Sequence, residues 1–334
     1  MQGLCFMSDI DKTIVMDPAG NVPDSERCPV CGAALVPDQT QADYLRCPTC
    51  RFMKKQKVVI APGNVIANKY RVLSHLNSGG CGDLFLCHPL NDVGVRYVLK
   101  VLRNADGTSR KRFRREAVIL SSIQNEDRIA KVYDFWENGD DTFIIMEYID
   151  GKNLKQLKKE YVFDEQTTLV IAQETAIALQ YIWENYSVIH RDIKPENIML
   201  NENFCVKLLD FGLSKQCSDE DETNITMARS GLGTPGYMSP EQYSDGKNAD
   251  FRSDIFSLGA TMFFLLTGEK PFDGKSAMEV YNDTLANSPP MMSRFGNCCS
   301  NECMQLIRTM MQRDPDDRFY SYSDLIAAMD RLIK

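Results

Sequence analysis

The chain has no stretch of about 18 consecutive apolar residues of the kind that spans a bilayer. Its best run, Leu258 to Leu266, is short and interrupted by Gly259 and Thr261, and reads as a buried core helix. Positive charge is also scarce. With 38 Lys and Arg against 46 Asp and Glu the net charge is -8, which argues against a protein whose main task is to grip nucleic acid through its phosphates. The first residues, Met1 to Asp17, carry acidic groups and lack a basic start followed by an apolar run, so no secretory leader is visible and the cytoplasm is the expected location. The 12 cysteines do not cluster evenly, as they would in a disulfide-stapled secreted domain.

What is present is 334 residues with 43% hydrophobic content, more than one ordinary domain and ample for a sizeable core. Cys28-Pro29-Val30-Cys31 and Cys47-Pro48-Thr49-Cys50 form two C-x₂-C pairs fifteen residues apart, the spacing of a four-thiolate zinc site. Short strand-like runs between Ala33 and Arg46 can form a hairpin, and the whole resembles a zinc ribbon. So small a module buries too little apolar surface to fold alone, and zinc binding worth about 10–16 kcal/mol would stabilise it. Redox dithiols or free cysteines are the alternative reading. Seven basic and seven acidic residues fall between Met1 and Ile60, so no electrostatic footprint points to DNA or RNA, and a protein partner or a regulatory role is preferred. Residues 1–26 show little periodicity and are expected to be mobile, 27–52 to form the ribbon and 53–68 a linker.

The remainder, 69–334, is dominated by His190-Arg191-Asp192-Ile193-Lys194-Pro195-Glu196-Asn197, followed by Asp210-Phe211-Gly212. Eight such identities arise by chance with odds on the order of 1 in 10¹⁰ per start position. The chain here resembles the bacterial Hanks-type (eukaryotic-like) serine/threonine protein kinases. The resemblance implies an α+β bilobal protein kinase fold, with a five-stranded N-lobe carrying one helix (69–149) and a mainly helical C-lobe (150–334). It also implies ATP and Mg²⁺ as cofactors and protein hydroxyls as acceptors. Asp192 would orient the acceptor hydroxyl and take its proton, and Lys194 would neutralise charge on the transferred phosphoryl group and mark a serine/threonine acceptor. Asn197 and Asp210 would ligate Mg²⁺. His190 is expected to buttress the loop rather than act as acid or base.

Upstream, two alternating runs, Tyr70 to Leu76 and Asp83 to His88, flank a turn with Gly79, Gly80 and Gly82, similar to the kinase glycine loop that covers phosphates. Asn77 stands where that loop has its first glycine, and modestly altered loop dynamics are expected. Tyr97-Val98-Leu99-Lys100 resembles the third-strand lysine motif, which places Lys100 on the α- and β-phosphates. Glu116, on a helix whose apolar stripe is Phe113, Ala117 and Leu120, is its expected counter-charge. Phe143 to Ile149 resembles the strand entering the hinge, with Met146 behind the adenine and the backbone of Glu147 and Ile149 on its edge.

Downstream, Gly233-Thr234-Pro235-Gly236-Tyr237-Met238-Ser239-Pro240-Glu241 closes the activation segment that begins at Asp210. Glu241 matches the glutamate of the family's A-P-E, with Ser239 in place of Ala. The resemblance pairs Glu241 with Arg318 in a buried ion pair, has Asp254 cap the catalytic loop, and assigns Thr234 a structural or regulatory place. Arg191 before Asp192 accompanies control by activation-loop phosphorylation in this family, with Thr223, Thr226 and Ser230 as candidate acceptors. The run Asp219-Glu220-Asp221-Glu222 either substitutes in part for a phosphate or is a solvated charge run. The leading expectation is an active kinase that also phosphorylates its own activation segment. The alternatives are a pseudokinase-like scaffold and a ribbon-mediated binding protein.

Overall fold

A computed structural model describes residues 27–37, 44–55, 60–79, 82–102, 114, 117–123, 125–138, 141–210, 234–244 and 249–334. The chain divides between Asn64 and Val65 into two compact units. Gly80, Glu116, Thr223, Thr226, Ser230, the 219–222 acidic run and the segment 1–26 lie outside the described residues.

The smaller unit is a three-stranded antiparallel sheet in the order β1 (Val36–Pro37), β2 (Tyr44–Arg46), β3 (Met53–Lys55). Its core is Cys28, Leu35, Leu45 and Cys47, with Ala33 and Phe52 packed on it. Those few side chains bury little apolar surface, as expected of a fold that needs a further source of stability.

In the larger unit the alternating segments form a six-stranded antiparallel sheet in the order β4-β5-β6-β7-β9-β8. Its members are β4 (Val65–Ile66), β5 (Tyr70–Gly79), β6 (Gly82–Pro89), β7 (Tyr97–Leu102), β8 (Val132–Asn138) and β9 (Asp141–Glu147). One strand exceeds the five expected, because Val65–Ile66 pairs with Arg71 and Tyr70. Met53–Lys55 and Val65–Ile66 thus place both ends of the segment 53–68 in sheets. Strands of two or three residues carry no readable period-2 pattern, so sequence alone assigns them to a linker.

The second lobe opens on β10 (Gly151–Asn153), which pairs with β11 (Ile198–Asn201), itself paired with β12 (Val206–Leu208). Gly151 is required at this crossing, since an added Cβ would lie 2.1 Å from the Leu200 carbonyl oxygen. Helix α1 (Leu154–Glu160) begins with a capping box between Asn153 and Gln156. Helix α2 (Glu165–Tyr186), capped by the Asp164 side chain, buries Leu169, Ala172, Ala176 and Leu179. It ends on Ser187 in a left-handed conformation (φ 52°), which turns the chain toward His190.

Short α3 (Pro240–Ser244) precedes α4 (Phe251–Thr267), the helix read from Leu258–Leu266, which is buried from Ser253 through Met262 and on to Leu266. Of helices α5 (Ala277–Asn287), α6 (Asn301–Met310) and α7 (Tyr322–Asp330), α6 packs on α4, as α2 does, α7 packs on α2, and α5 packs on α3. Gly259 lets α6 approach α4: a Cβ there would meet Met310 Cβ and Met311 Cγ at 2.9 Å. Ile193, on the loop that carries Asp192, is buried in the same hydrophobic core as these helices.

Candidate active site and thiolate centre

The β-register sets the nucleotide side of the cleft. Leu84, Lys100 and Ile144 align across β6, β7 and β9, and two residues along, Leu86, Val98 and Met146 form the next row on the same face. Lys100, only 3% exposed, thus rises from an apolar wall, and Lys100, Leu120, Val132, Ile144, Met146 and Asp210 line a small pocket behind it. Leu84 and Val98 were not picked out from the sequence. Once Lys100 is placed, the strand register is the signal that finds them.

Asn77 pairs with Leu84 inside the ladder and is absent from the residues with positive φ, so no glycine-only backbone is needed at that position. Gly82 differs. Its φ is +107°, and a Cβ would lie 2.3 Å from the Val101 carbonyl oxygen.

From the other lobe, Asp210 Oδ1 accepts a hydrogen bond from Lys100 Nζ at 2.5 Å. Burial pushes the Asp210 carboxyl up, but the Lys100 charge outweighs it and holds the group below the usual carboxylate range. The described partner of Lys100 is therefore Asp210. Met146, near the end of β9, lines the same pocket, and Ile149 just beyond the strand is buried. The Glu147 side chain points to structural work, accepting from Lys207 Nζ at 2.8 Å and from the Lys131 N–H at 3.1 Å.

Asp192 sits in a polar cluster of short contacts. Its Oδ2 accepts from Asn197 Nδ2 at 2.9 Å and lies 2.9 Å from Lys194 Nζ, while Oδ1 accepts from the Thr234 hydroxyl at 3.1 Å. Lys194 Nζ also donates to Thr234 Oγ1 at 2.6 Å. A second Asn197 side-chain amide hydrogen goes to the Asp192 carbonyl at 2.8 Å, so both Nδ2 hydrogens are spent on Asp192 and the side-chain Oδ1 is the Asn197 atom suited to a cation. Thr234 is thereby brought against Asp192 and Lys194, a contact between the catalytic loop and the end of the activation segment.

The loop is held from beneath. Asp254, 1% exposed, accepts the N–H groups of His190 and Arg191, each at 2.8 Å. Burial pushes its carboxyl up to about 7, against these two bonds to the anion. Fully buried His190 lies 2.7 Å through Nε2 from the Leu209 carbonyl, and its Nδ1 accepts from the Asp192 N–H at 3.2 Å. Those partners define the neutral Nε2–H tautomer.

Glu241 and Arg318 form a bidentate pair at 2.7 and 2.8 Å, with Ser253 donating to the same carboxylate. Burial raises the Glu241 carboxyl, and Arg318 more than offsets this, so the group titrates below the usual range. Ser239, fully buried, donates through both its N–H and its hydroxyl to Gln242 Oε1, and Gln242 Nε2 donates to the Arg191 carbonyl. Gln242 was not singled out from the sequence. The Ser-for-Ala departure and this Gln act together, which no single position reveals.

In the smaller unit the four Sγ atoms of Cys28, Cys31, Cys47 and Cys50 lie within 4.8 Å of one another. Cys28 to Cys50 is 3.4 Å and Cys31 to Cys47 is 3.3 Å. A tetrahedron with metal–sulfur arms near 2.3 Å has edges of about 3.8 Å, so the donor set suits Zn²⁺. Both knuckles share one backbone pattern: Gly32 N–H donates to Cys28 O and Cys28 N–H to Ala33 O, as Arg51 does to Cys47 and Cys47 to Phe52. Gly32 (φ 74°) and Arg51 (φ 64°) hold equivalent left-handed positions.

Comparison with known proteins agrees with this geometry. A family model described as protein kinase domain matches residues 70–327. Among curated relatives, the chain is 37% identical over 269 residues to the serine/threonine-protein kinase pkn3 of Myxococcus xanthus, covering 77% of this chain and 48% of that protein. It is 32% identical over 269 residues to the serine/threonine-protein kinase PrkC of Bacillus subtilis, covering 79% of this chain and 40% of that protein. The chain thus spans between two-fifths and one-half of the length of these relatives. Among solved structures, the PknI kinase domain of Mycobacterium tuberculosis superposes with a TM-score of 0.64 at 26% identity, covering 82% of this chain and 99% of that one. Rad53 in complex with AMP-PNP gives the same TM-score at 21% identity, covers 80% of this chain and 66% of that one, and speaks for the fold alone. With a family model over most of its length, and the lysine, aspartates and asparagine of the cleft in contact, the chain belongs to the protein kinase family, in its bacterial Hanks-type branch.

Proposed function

We propose that this chain is an active serine/threonine protein kinase that transfers the γ-phosphoryl group of ATP to protein hydroxyls, its own activation segment included. The observation that carries the proposal is the Asp192 carboxylate, held by Asn197, Lys194 and Thr234 in one lobe while Lys100 reaches Asp210 from the other. Mg-ATP supplies the phosphoryl group and its activation. Lys100 would bind the phosphates, and the Asn197 side-chain oxygen Oδ1 and the Asp210 carboxylate, hard oxygen donors, would hold Mg²⁺. Leu84, Val98 and Met146 would pack on the adenine, and the Glu147 and Ile149 backbone would meet its edge.

Asp192 would orient the acceptor hydroxyl and receive its proton at a carboxylate oxygen. Lys194, 2.9 Å away, would stabilise charge on the phosphoryl oxygens. Gly79, Gly80 and Gly82 would cover the phosphates with backbone N–H groups. Glu116 is assigned as the alternative partner of Lys100, and Thr223, Thr226 and Ser230 as acceptors whose phosphates would meet Arg191. Residues 69–149 and 150–334 act as the two kinase lobes. The four cysteines are assigned to structural Zn²⁺, supported by their mutual spacing, and the ribbon to contact with a protein partner. A reducing cytoplasm suits the described cysteines, none of which is in a disulfide. Among the described residues no helix is long and apolar enough to cross a membrane.

The test is incubation of wild-type and Asp192→Asn protein with Mg-ATP, followed by phosphosite mapping by mass spectrometry. Incorporation on serine and threonine in the wild type alone is expected. Equal incorporation in both would leave the pseudokinase-like scaffold as the better reading.

A further inference from the structure

The two knuckles of the thiolate centre are alike in sequence, Arg27-Cys28-Pro29-Val30-Cys31 and Arg46-Cys47-Pro48-Thr49-Cys50, and alike in exposure. In each, the first cysteine is buried (Cys28 3%, Cys47 0%) and the second is exposed (Cys31 and Cys50). The short sulfur contacts run between knuckles, and each joins one exposed sulfur to one buried sulfur: Cys50 to Cys28 at 3.4 Å and Cys31 to Cys47 at 3.3 Å. An attacked sulfur at the surface therefore has a resolving sulfur directly behind it. Buried Cys47 also accepts the Cys50 N–H, a bond that holds its electron pair and leaves Cys31 as the more reactive member of its pair.

We infer that the four-cysteine centre is an oxidation site, at which a peroxide converts it into two knuckle-crossing disulfides, Cys28–Cys50 and Cys31–Cys47, and expels the metal. The inference rests on the zinc reading above. In each half, the exposed thiolate attacks a peroxide oxygen, the O–O bond breaks and hydroxide leaves as water, giving a sulfenic acid. The buried thiolate then attacks that sulfur, the S–O bond breaks and a second water leaves as the S–S bond forms. Four thiolates, two molecules of hydrogen peroxide and four protons yield two disulfides and four waters. Zn²⁺ keeps its charge throughout, since it has no redox chemistry of its own. Each sulfur pair needs to close by only about 1.3 Å to reach the bonded distance of about 2.05 Å. Because both new bonds join the knuckles, the oxidised ribbon keeps the cross-links that the metal made.

Full-length protein purified under reducing conditions is first assayed for bound zinc by atomic emission, then titrated with hydrogen peroxide in the presence of a chromophoric zinc indicator. About one equivalent of zinc should be released per chain for about two equivalents of peroxide. Trypsin, cutting after Arg27, Arg46 and Arg51, separates the knuckles into two peptides. The expected product is therefore a disulfide-linked pair of peptides, with tandem fragmentation giving Cys28–Cys50 and Cys31–Cys47. With limiting peroxide and dimedone, adducts should fall on Cys31 and Cys50. Protein that carries no zinc would reject the zinc reading itself. Zinc that is bound but stays in place under excess peroxide, or two separately cyclised knuckle peptides, would overturn the inference and leave the zinc reading standing.

Discussion

Replacing Arg318 by Met keeps most of the aliphatic stem and removes one guanidinium. The Arg318 side chain is wholly buried, and Glu241 is 19% exposed. All five of its N–H groups are used: two on Glu241, and one each on the carbonyls of Gln312, Arg252 and Arg313. The guanidinium also lies 4.9 Å from the Phe256 ring. Removal leaves a buried carboxylate without its counter-charge and withdraws one donor from each of three carbonyls. Breaking a buried pair by deleting one partner costs about 3–5 kcal/mol, which is a large fraction of the 5–15 kcal/mol that holds a domain together. At about 2–4 °C per kcal/mol for a unit of this size, Tm should fall by roughly 6–20 °C.

Urea unfolding read by tryptophan fluorescence suits this test, because Trp183 packs 5.3 Å from Phe251 at the start of α4. Glu241→Gln should cost less than Arg318→Met, since a neutral amide still accepts from Arg318. The double variant should be more stable than the sum of the two losses predicts, by at least ~1 kcal/mol, because no stranded charge remains. A loss below about 1 kcal/mol for Arg318→Met, or strict additivity, would refute the reasoning.

Thr234→Ala removes the hydroxyl that links Lys194 to Asp192, and kcat for peptide phosphorylation should fall about 10- to 100-fold with KM for ATP within about twofold; an unchanged kcat would count against that linkage. Gly82→Ala should raise KM for ATP and lower Tm, because its Cβ has no room beside Val101, whereas Asn77→Gly should leave KM within about twofold and cost only the ~0.5–1 kcal/mol of added chain entropy. Asp254 holds its proton up to about 7 when folded against about 3.9 unfolded, so the folded state binds more protons across that window and this group's contribution to stability falls as pH rises from about 4 to 7. Asp254→Asn should remove that slope from urea melts taken between pH 5 and 8, and an unaltered slope would argue against it. A zinc chelator should abolish amide-exchange protection across residues 44–55 while leaving β7 and α4 protected, and retained protection in the ribbon would mean that metal does not hold it.

The catalytic loop was legible because its motif is contiguous: Asp192, Lys194 and Asn197 lie within one short stretch of chain, and Lys100 could be placed on a strand through its resemblance to the family's third-strand lysine motif. What stayed hidden depends on partners distant in sequence. Lys207 reaching Glu147, Gln242 reaching Arg191, and Thr234 reaching Asp192 each join segments with different local logic, and no periodicity announces such meetings. Asn77 shows a different effect. A glycine template suggests a loop that needs left-handed backbone, but the ladder runs through Asn77 to Gly79, and among the described residues of this hairpin positive φ occurs at Gly82. The short strands at the two ends of 53–68 were hidden for a simpler reason, since strands as short as β3 and β4 are defined by pairing and not by pattern.

Two residues of the cleft that are not glycine have left-handed backbone, Arg191 at φ 66° and Asp210 at φ 48°. Each such conformation costs about 1–2 kcal/mol for an L-residue, and it persists only where surrounding bonds over-determine it. Around Arg191 those bonds are its N–H on Asp254 and its carbonyl on Gln242. Around Asp210 the neighbouring Leu209 is fixed twice, by its N–H on the Asn197 carbonyl and its carbonyl on His190, while the Asp210 carboxylate is drawn to Lys100. The two left-handed residues lie beside Asp192 and at Asp210, whose carboxylates are near enough for the Asp192 charge to act on Asp210. The buried groups that do no chemistry, His190, Asp254 and Gln242, therefore stabilise an arrangement that the backbone by itself disfavours. Their substitution should move kcat even though none of them meets the phosphate, and it should do so in step with the loss of order in residues 190–197.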